Sequence, residues 1–259
     1  MTDPDDRVGW RDRATRTYTP AVDRPESWPA RGRFITLEGP EGAGKTTQAA
    51  RLVATLRDRG VAVVSTREPG GTALGERIRA LLLAPDNAAA APADPLVDAL
   101  LFNAARRQLV AEVIEPALAV GTTVVCARFG DSTRAYQGYG GGVPIAELAR
   151  LEAAATGGLR PDRTILLDVP VEIGLARKAP DDRTRFETAF DLSFHQRVRN
   201  GFMAMAAAEP ARFVVVDATG DPDDIARRIA RAVTPLLPSA DPAGPTAGEP
   251  KRPEMRIRR

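Results

Sequence analysis

The sequence is poor in the side chains on which many enzymes depend. It contains one cysteine, Cys126, and one histidine, His195. One cysteine cannot form an internal disulfide, and one cysteine with one histidine cannot build a structural zinc site. A serine or cysteine hydrolase would have to rest on His195 alone. We therefore expect any chemistry to use carboxylates, lysine, arginine, hydroxyls and backbone amides.

Excess charge and long apolar runs are also scarce. The net charge is +2, from 36 Lys+Arg against 34 Asp+Glu, which is too small to drive non-specific nucleic-acid binding by counterion release. No apolar run approaches the roughly 20 residues of a membrane span, and the polar N-terminus lacks the apolar stretch of a secretory signal. These absences favour a cytoplasmic protein with neither a nucleic-acid nor a membrane partner.

The two ends of the chain differ from its middle. Residues 1–31 contain four prolines, two tryptophans and no periodic apolar pattern, which predicts an irregular N-terminal arm. Residues 237–259 are rich in proline and end in several arginines, which predicts a disordered basic tail. That tail is either a solvated appendage or a segment that binds an anionic partner. One domain is predicted between them, over residues 32–236.

This middle segment alternates between β-branched runs and amphipathic segments. Strands are predicted over Phe34–Glu38, Val61–Thr66, Thr122–Cys126, Thr164–Val169 and Phe213–Asp217. Helices are predicted over Lys45–Arg59, Ala73–Leu83, Pro95–Val120, Ile145–Ala155, Glu187–Ala208 and Pro222–Val233. Continuous apolar strands separated by helices indicate an α/β fold in three layers, with a five-stranded parallel sheet covered by helices on both faces.

The segment between the first strand and the first helix fits the pattern G-x-x-x-x-G-K-[ST]. The loop and the residue after it are Gly39, Pro40, Glu41, Gly42, Ala43, Gly44, Lys45, Thr46 and Thr47. Its glycines let backbone amides point at a phosphate, and the helix N-terminus adds partial positive charge. Lys45, one of only three lysines in the chain, can reach the β- and γ-phosphates, and the Thr46 hydroxyl can ligate Mg²⁺. We therefore predict a P-loop NTPase fold that binds a nucleoside triphosphate.

Arginine and aromatic side chains follow the next strands. Arg67 comes directly after the second predicted strand, and Arg128 lies just beyond the third. The carboxyl ends of parallel strands meet at one crevice, so both arginines are expected beside the P-loop. Phe102 and Arg106 are four residues apart on a predicted helix and share a face. That pair suits a nucleotide base and its phosphate, although Phe102 taken alone also fits a core position.

Together these segments resemble thymidylate kinases, a family of P-loop nucleoside monophosphate kinases. The resemblance extends from about residue 33 to residue 233, and its most specific stretches are TREPGGT (66–72), LLFNAAR (100–106) and DSTRAYQG (131–138). It implies transfer of the γ-phosphoryl of ATP to dTMP, giving dTDP and ADP for dTTP synthesis. It also implies Mg²⁺ as cofactor and a homodimer as the assembly.

The resemblance assigns roles on the ATP side of the site. Lys45 and Thr46 correspond to the residues that handle the ATP phosphates and Mg²⁺. Glu41 corresponds to the P-loop acid that faces the sugar 3′-hydroxyl and the metal. Arg128 corresponds to an arginine of the catalytic and substrate-binding set.

Further roles are implied on the dTMP side. Arg67 and Arg106 correspond to clamps on the dTMP phosphate, and Phe102 corresponds to the ring that stacks on thymine. The positions near the polar edge of the base and beneath the deoxyribose are Thr133, Gln137 and Tyr136.

A short lid is implied as well. Family members with glycine after the P-loop acid, as at Gly42, supply a transfer arginine from a mobile lid. The segment 176–187 falls where that lid belongs, and Arg183 or Arg185 is the expected arginine. A solvated basic loop is the alternative interpretation.

One position departs from the family pattern. The third strand normally ends Asp-Arg-aromatic, whereas here Ala127 precedes Arg128. The chain is then a slower kinase in which Asp131 or Glu38 partly compensates, an engineered variant, or a divergent paralogue. The alternative function is accordingly a catalytically weak nucleotide-binding protein.

Overall fold

A computed structural model of the chain describes residues 31–83, 94–179 and 183–237. Apart from residues 31 and 237, the predicted N-terminal arm (1–31) and Pro-rich tail (237–259) lie outside the described residues. Within the described ranges, no helix is both long enough and apolar enough to cross a bilayer.

The sheet has the five parallel strands that the sequence predicts. They are β1 (Phe34–Glu38), β2 (Val63–Arg67), β3 (Thr123–Ala127), β4 (Arg163–Asp168) and β5 (Phe213–Asp217). Their order is β2-β3-β1-β4-β5, and every neighbouring pair is parallel. After β1 the chain crosses to β2 at one edge of the sheet, and after β3 it crosses to β4 on the other side of β1. The direction of the crossovers therefore reverses between the neighbouring strands β1 and β3. The crevice of this switch point lies beyond the carboxyl ends of β1 and β3, where such folds bind ligands.

Ten α-helices, two π-helical segments and one 3₁₀ turn surround the sheet in the described residues. The helices are α1 (Lys45–Asp58), α2 (Ala73–Leu83), α3 (Pro95–Leu109), α4 (Glu115–Ala119), α5 (Gly130–Thr133), α6 (Ile145–Thr156), α7 (Val171–Ala176), α8 (Arg185–Thr188), α9 (Leu192–Ala208) and α10 (Pro222–Val233). Five- and seven-residue π-helical segments, Val110–Ile114 and Arg134–Gly140, continue α3 and α5, and a 3₁₀ turn, Thr234–Leu236, follows α10.

Alternation along β1 creates the two faces of the sheet, because successive strand residues point in opposite directions. Ile35 and Leu37 pack in the cluster that includes α1 and α10 residues. Phe34 packs on the other face, against α3 and the wide turn after it. Thr36 and Glu38 share the side of Phe34, and both are fully buried. The predicted three-layer α/β arrangement is therefore confirmed.

Two predicted helices are interrupted, each for a local reason. The helix predicted over Glu187–Ala208 is two helices, because the Asp191 carboxylate caps α9 by accepting from the Phe194 amide at 2.8 Å. The helix predicted over Pro95–Val120 contains the π-helical segment just before Pro116. Proline has no N–H to donate to the preceding turn, so the regular hydrogen-bond ladder cannot continue through it.

Candidate active site

The carboxyl ends of β1, β2 and β3 open into a crevice with a cavity of about 620 Å³. That volume is within the range of small-molecule binding sites. Most residues predicted for the site line it: Glu41, Gly42, Gly44, Lys45, Thr46, Thr47, Arg67, Phe102, Arg106, Arg128, Thr133, Tyr136 and Gln137. Gly39, Pro40 and Ala43 belong to the same loop but do not line the cavity.

The P-loop backbone needs glycine at defined points. Gly39, Gly42 and Gly44 have φ of 142°, 68° and 85°, values that L side chains rarely adopt. A Cβ atom at Gly42 would also lie 1.8 Å from the carbonyl oxygen of Gly174 in α7. The loop therefore packs closely on α7 while its amides stay available for a phosphate.

Lys45 lies folded over this loop. Its Nζ donates to the carbonyl oxygens of Pro40 at 2.6 Å and Gly39 at 3.0 Å. Burial and the nearby charge of Arg128 lower the pKa of Lys45 to about 7. The negative charge of a phosphate bound on the loop would raise this pKa and favour the charged ammonium. Thr46 follows it with an exposed side chain in the crevice lining.

Arg128 joins the P-loop to the opposite wall of the crevice. Its Nη2 donates to Glu41 Oε1 at 2.6 Å, and its Nη1 donates to the Gly39 carbonyl at 3.2 Å. Glu41 Oε1 also accepts from the Tyr136 hydroxyl at 2.7 Å. Burial would raise the pKa of Glu41, but Arg128 and Lys45 together hold it well below its ordinary value. Glu41 is therefore an ionised anchor for the arginine at neutral pH.

The backbone at Arg128 is strained. With φ of 68° it is the non-glycine residue with positive φ in the described ranges. Such a conformation costs about 1–3 kcal/mol and persists only where the surroundings impose it. The Arg128 amide donates to the Leu37 carbonyl at 2.9 Å, so the end of β1 holds the arginine in this conformation. Strain of this kind is concentrated at functional sites.

Glu38, the last residue of β1, is fully buried and is linked to Arg128 through Phe129 and Ser132. Its Oε1 accepts from the Phe129 amide at 2.7 Å, and its Oε2 accepts from the Ser132 hydroxyl at 2.6 Å. The Ser132 oxygen in turn accepts from Arg128 Nη1 at 3.1 Å. Burial and the negative charge of Asp131 raise the pKa of Glu38 to about 8.

Asp131, the other predicted compensation for Ala127, is committed elsewhere. Its two carboxylate oxygens accept from Arg212 at 2.6 and 2.9 Å. The side chain therefore stabilises the contact between α5 and the loop before β5. Ala127 itself lines the crevice with its methyl group beside Arg128.

Arg106 forms the floor of the other half of the crevice. Its side chain is 0% exposed and pairs with Glu68, with Nη2 to Oε2 at 2.8 Å. It also donates to the Asn103 amide oxygen and the Thr133 hydroxyl, both at 2.9 Å. Burial acts to lower the pKa of Arg106, but the Glu68 carboxylate outweighs it and raises that pKa. A charged donor is thereby fixed at the floor of the crevice.

Breaking this buried ion pair is expected to destabilise the fold. The change Glu68→Gln leaves the Arg106 charge buried without its counterion, which costs about 3 kcal/mol in comparable sites. Glu76→Gln is the matched control, because Glu76 pairs with Arg67 where both side chains are nearly half exposed, and exposed pairs contribute below about 1 kcal/mol. Urea unfolding measures both; equal losses of unfolding free energy would contradict this assignment.

Phe102 and Gln137 complete that half of the crevice. The Phe102 ring is half-buried and lies 6.2 Å from the Phe186 ring, centroid to centroid. Gln137 is buried, and its Oε1 has no hydrogen-bond partner among the described residues. A buried acceptor without a donor is costly, so this oxygen is suited to a donor on a bound ligand.

The structure separates the two predicted lid arginines from the crevice lining. Arg185 is buried, with Nε donating to the Leu82 carbonyl at 2.5 Å and Nη2 lying 2.6 Å from Asp98 Oδ2. The buried Asp98 carboxylate holds this guanidinium against α2 and α3, and it would compete with a nucleotide phosphate for the same donor. Arg183 is exposed beside residues 180–182, which lie outside the described residues.

Sequence reasoning missed several polar residues of the lining. Those that the structure adds are Glu68, Arg79, Ser132, Arg177, Lys178, Thr184 and Glu187. Lys178 Nζ lies 2.9 Å from Glu187 Oε1 and 3.8 Å from Glu41 Oε2, so it connects the predicted lid to the P-loop. Arg79 donates to the Pro69 carbonyl at 3.0 Å. Arg79 lies three residues, or about one helical turn, after Glu76, and Glu76 pairs with the strand-end Arg67. This spacing on the predicted helix was the sequence signal that could have placed Arg79 at the crevice.

The donors at the P-loop suit a magnesium ion that arrives with a nucleotide. The Thr46 hydroxyl is exposed in the lining, and Glu41 is ionised. Magnesium in nucleotide sites takes few protein oxygens, with phosphates and water as its other ligands. No group of three or more His, Cys, Asp or Glu side chains in the described ranges could hold a metal ion by itself. Glu41 would have to share its charge between the metal and Arg128.

Comparisons with known proteins agree with this geometry. The family model of thymidylate kinase matches residues 37–229. A thymidylate kinase from Synechococcus sp. (strain JA-2-3B'a(2-13)) is 53% identical over 207 residues, covering 80% of this chain and 97% of the relative. The thymidylate kinase of Deinococcus radiodurans is 52% identical over 209 residues, covering 79% and 98%.

A solved structure agrees as well. The crystal structure of thymidylate kinase from Ehrlichia chaffeensis has a TM-score of 0.62 and 34% sequence identity to this chain, covering 79% of it and 99% of that structure. The chain therefore belongs to the thymidylate kinase family.

Proposed function

We propose that the chain transfers the γ-phosphoryl group of ATP to dTMP, giving dTDP and ADP. One observation supports this most directly: a single crevice joins a P-loop to an aromatic pocket, and Arg128 lies between the two. Two anionic ligands bound there would meet at the guanidinium. The family relationship supports the same reaction.

The ATP half of the site consists of the P-loop and the start of α1. Backbone amides and Lys45 would hold the β- and γ-phosphates, with the helix N-terminus adding partial positive charge. Mg²⁺ on Thr46 and Glu41 would neutralise charge that develops on the phosphates. Arg183 is the remaining candidate for a lid arginine, since Arg185 is bound to Asp98.

The dTMP half lies between Phe102, Tyr136 and Arg106. The Phe102 ring would stack on thymine, and the free Gln137 Oε1 would accept the N3–H of the base. Thr133 lies beside Gln137 at the same edge, with its hydroxyl bound to Arg106. The Tyr136 hydroxyl, held by Glu41, would lie beneath the sugar.

Arg67 and Arg106 would bind the dTMP phosphate. Arg67 can turn from the exposed Glu76 toward a phosphate at little cost, because the pair is solvated. Arg106 keeps Glu68 and would exchange one neutral partner, Asn103 or Thr133. Together with Arg128, these guanidinium groups hold the two anions in line, which is the main requirement of phosphoryl transfer.

A coupled ADP-release assay with dTMP, dUMP, dCMP and dGMP tests the proposal. The expected result is ATP- and Mg²⁺-dependent turnover that is fastest with dTMP. The alternative that the sequence left open, a catalytically weak nucleotide-binding paralogue, receives no support from the family relationship. Absence of turnover with every acceptor, together with a melting temperature raised by dTMP, would favour that alternative.

The change Phe102→Ala is expected to weaken dTMP binding about tenfold and to leave ATP binding unchanged, because one stacked base contributes about 1–3 kcal/mol. Leu100→Ala, an exposed position on the same helix, is the matched control and should change neither. Calorimetric titration of each nucleotide gives both affinities. Equal losses for dTMP and ATP would assign Phe102 to the core beside Phe186 instead.

Assembly and location belong to the same proposal. The family relationship supports a homodimer in the cytoplasm that acts on ATP and dTMP, with no nucleic-acid or membrane partner.

A further inference from the structure

We propose that Glu38 is a positioning residue for phosphoryl transfer, which acts through Ser132 and the Phe129 amide to hold the Arg128 guanidinium at the junction of the two nucleotides. The inference rests on the proposed role of Arg128. It assigns a function to a buried carboxyl group that does not line the crevice.

The first observation is the pair of contacts that Glu38 makes on either side of Arg128. One oxygen accepts from the backbone amide of the next residue, Phe129, at 2.7 Å. The other accepts from the Ser132 hydroxyl at 2.6 Å, and that hydroxyl oxygen accepts from the guanidinium at 3.1 Å. Glu38 therefore fixes both the backbone and the side chain of Arg128.

The second observation is the strain that these contacts oppose. Arg128 has a φ of 68°, and a non-glycine residue returns to negative φ unless its neighbours prevent it. The Phe129 amide belongs to the peptide unit that follows Arg128, so the bond to Glu38 resists that rotation. Loss of the bond would let the guanidinium move away from Glu41 and the Gly39 carbonyl.

The third observation is the neighbouring residue on β3. Ala127 lies opposite Leu37 in the β1–β3 register and brings only a methyl group to the crevice beside Arg128. Glu41 holds Nη2, and Ser132 holds Nη1. The Glu38–Ser132 pair thus supports Nη1, the nitrogen that also donates to the Gly39 carbonyl of the P-loop.

The cost of losing this support follows from geometry. Displacement of a catalytic group by about 1 Å can cost on the order of a hundredfold in rate. Glu38→Gln keeps the size of the side chain and the acceptor for the Phe129 amide, but it replaces the oxygen that accepts from Ser132 with an amide nitrogen that cannot accept. We expect kcat with dTMP to fall about ten- to a hundredfold, while KM for ATP changes by less than about threefold, because the P-loop and Lys45 are untouched.

A matched pair at Ser132 separates the hydroxyl from the shape of the side chain. Threonine and valine are isosteric, so Ser132→Thr retains the hydroxyl and Ser132→Val does not. Ser132→Thr is expected to restore most of the kcat that Ser132→Val loses. The double variant Glu38→Gln/Ser132→Val should fall no further than its worse single variant, because both changes break the same chain of contacts.

Thr36→Val is the control for a structural effect. Thr36 is fully buried on the same face of β1, and its hydroxyl bonds the Thr164 hydroxyl at 2.9 Å, away from Arg128. This change should lower the melting temperature and leave kcat unchanged. Glu38→Gln is expected to show the reverse balance, a large loss of kcat at a similar melting temperature.

The experiment is steady-state kinetics of these variants and of Arg128→Gly on the full chain, with thermal unfolding in parallel. A fall in kcat for Glu38→Gln and Ser132→Val, rescue by Ser132→Thr and a non-additive double variant would support the proposal. If Arg128→Gly is inactive, the proposal for Glu38 would be overturned by an unchanged kcat in Glu38→Gln or by additive losses in the double variant. If Arg128→Gly itself retains full activity, the proposed role of Arg128 fails and this inference fails with it.

Discussion

Replacement of Lys45 by methionine is expected to lower kcat about a thousandfold. The Lys45 ammonium is the cation that the P-loop carries, and its Nζ lies within 3.0 Å of the Gly39 and Pro40 carbonyls, over the surface that would receive the phosphates. Removing one preorganised charged donor from a transition state costs on the order of 10²–10³ in rate. Methionine keeps the length of the side chain, so the loss would report the charge. Steady-state turnover with saturating dTMP measures it.

A cation elsewhere on the same helix provides the control. Arg51 lies on α1 with its guanidinium paired to the exposed Asp223. Arg51→Ala removes one positive charge near the P-loop without touching the crevice, and surface changes of this kind have small effects. We expect its kcat to stay within about twofold of the parent. Equal losses for Lys45→Met and Arg51→Ala would mean that net charge, and not the position of Lys45, is what matters.

The second large effect is expected at Arg128. Glycine is the informative replacement, because it accepts a φ of 68° without strain and removes the guanidinium alone. Arg128→Gly should lower kcat/KM for dTMP about 10²–10³-fold. The affinity for ATP should change little, since Lys45 and the loop amides remain.

Arg128→Lys tests the shape of the donor. Lysine retains the positive charge but not the planar fork that contacts Glu41, Ser132 and the Gly39 carbonyl. If the reaction needs the planar set of guanidinium donors, Arg128→Lys should restore only a small part of the rate that Arg128→Gly loses. Full activity in Arg128→Lys would show that charge alone suffices, and full activity in Arg128→Gly would exclude Arg128 from the transfer step.

Most of the fold could be predicted from local sequence signals. The five strands and the P-loop follow from continuous apolar runs and from one glycine-rich pattern, and both are short-range features. Helix boundaries failed where a single side chain decided them. Asp191 ends one predicted helix by capping the next, and Pro116 forces a wide turn in another.

The site was predictable to the extent that its residues follow strands directly. Arg67 and Arg128 are examples, because the carboxyl ends of parallel strands converge whatever their distance in sequence. Arg185 shows the limit of this reasoning. Its competing partner, Asp98, is 87 residues away in the chain, and no local pattern indicates that the two side chains meet.

Glu38 shows a second limit. From the sequence it is the last residue of an apolar strand and one of two candidates to compensate for Ala127. Only the structure shows that its carboxyl group binds the Phe129 amide and the Ser132 hydroxyl, and that Asp131 is bound to Arg212 instead. Such roles depend on side-chain contacts between elements, which spacing and composition do not encode.

Phosphoryl transfer to dTMP is tested most directly by following ATP and dTMP with the full chain and Mg²⁺ by ³¹P NMR. We expect dTDP and ADP to appear together in equal amounts, and we expect Lys45→Met to slow the appearance of both equally. Appearance of ADP with inorganic phosphate and no dTDP would contradict this transfer, because water would then be the acceptor. Unchanged ATP and dTMP resonances, with a melting temperature that both nucleotides still raise, would contradict it in favour of a nucleotide-binding protein.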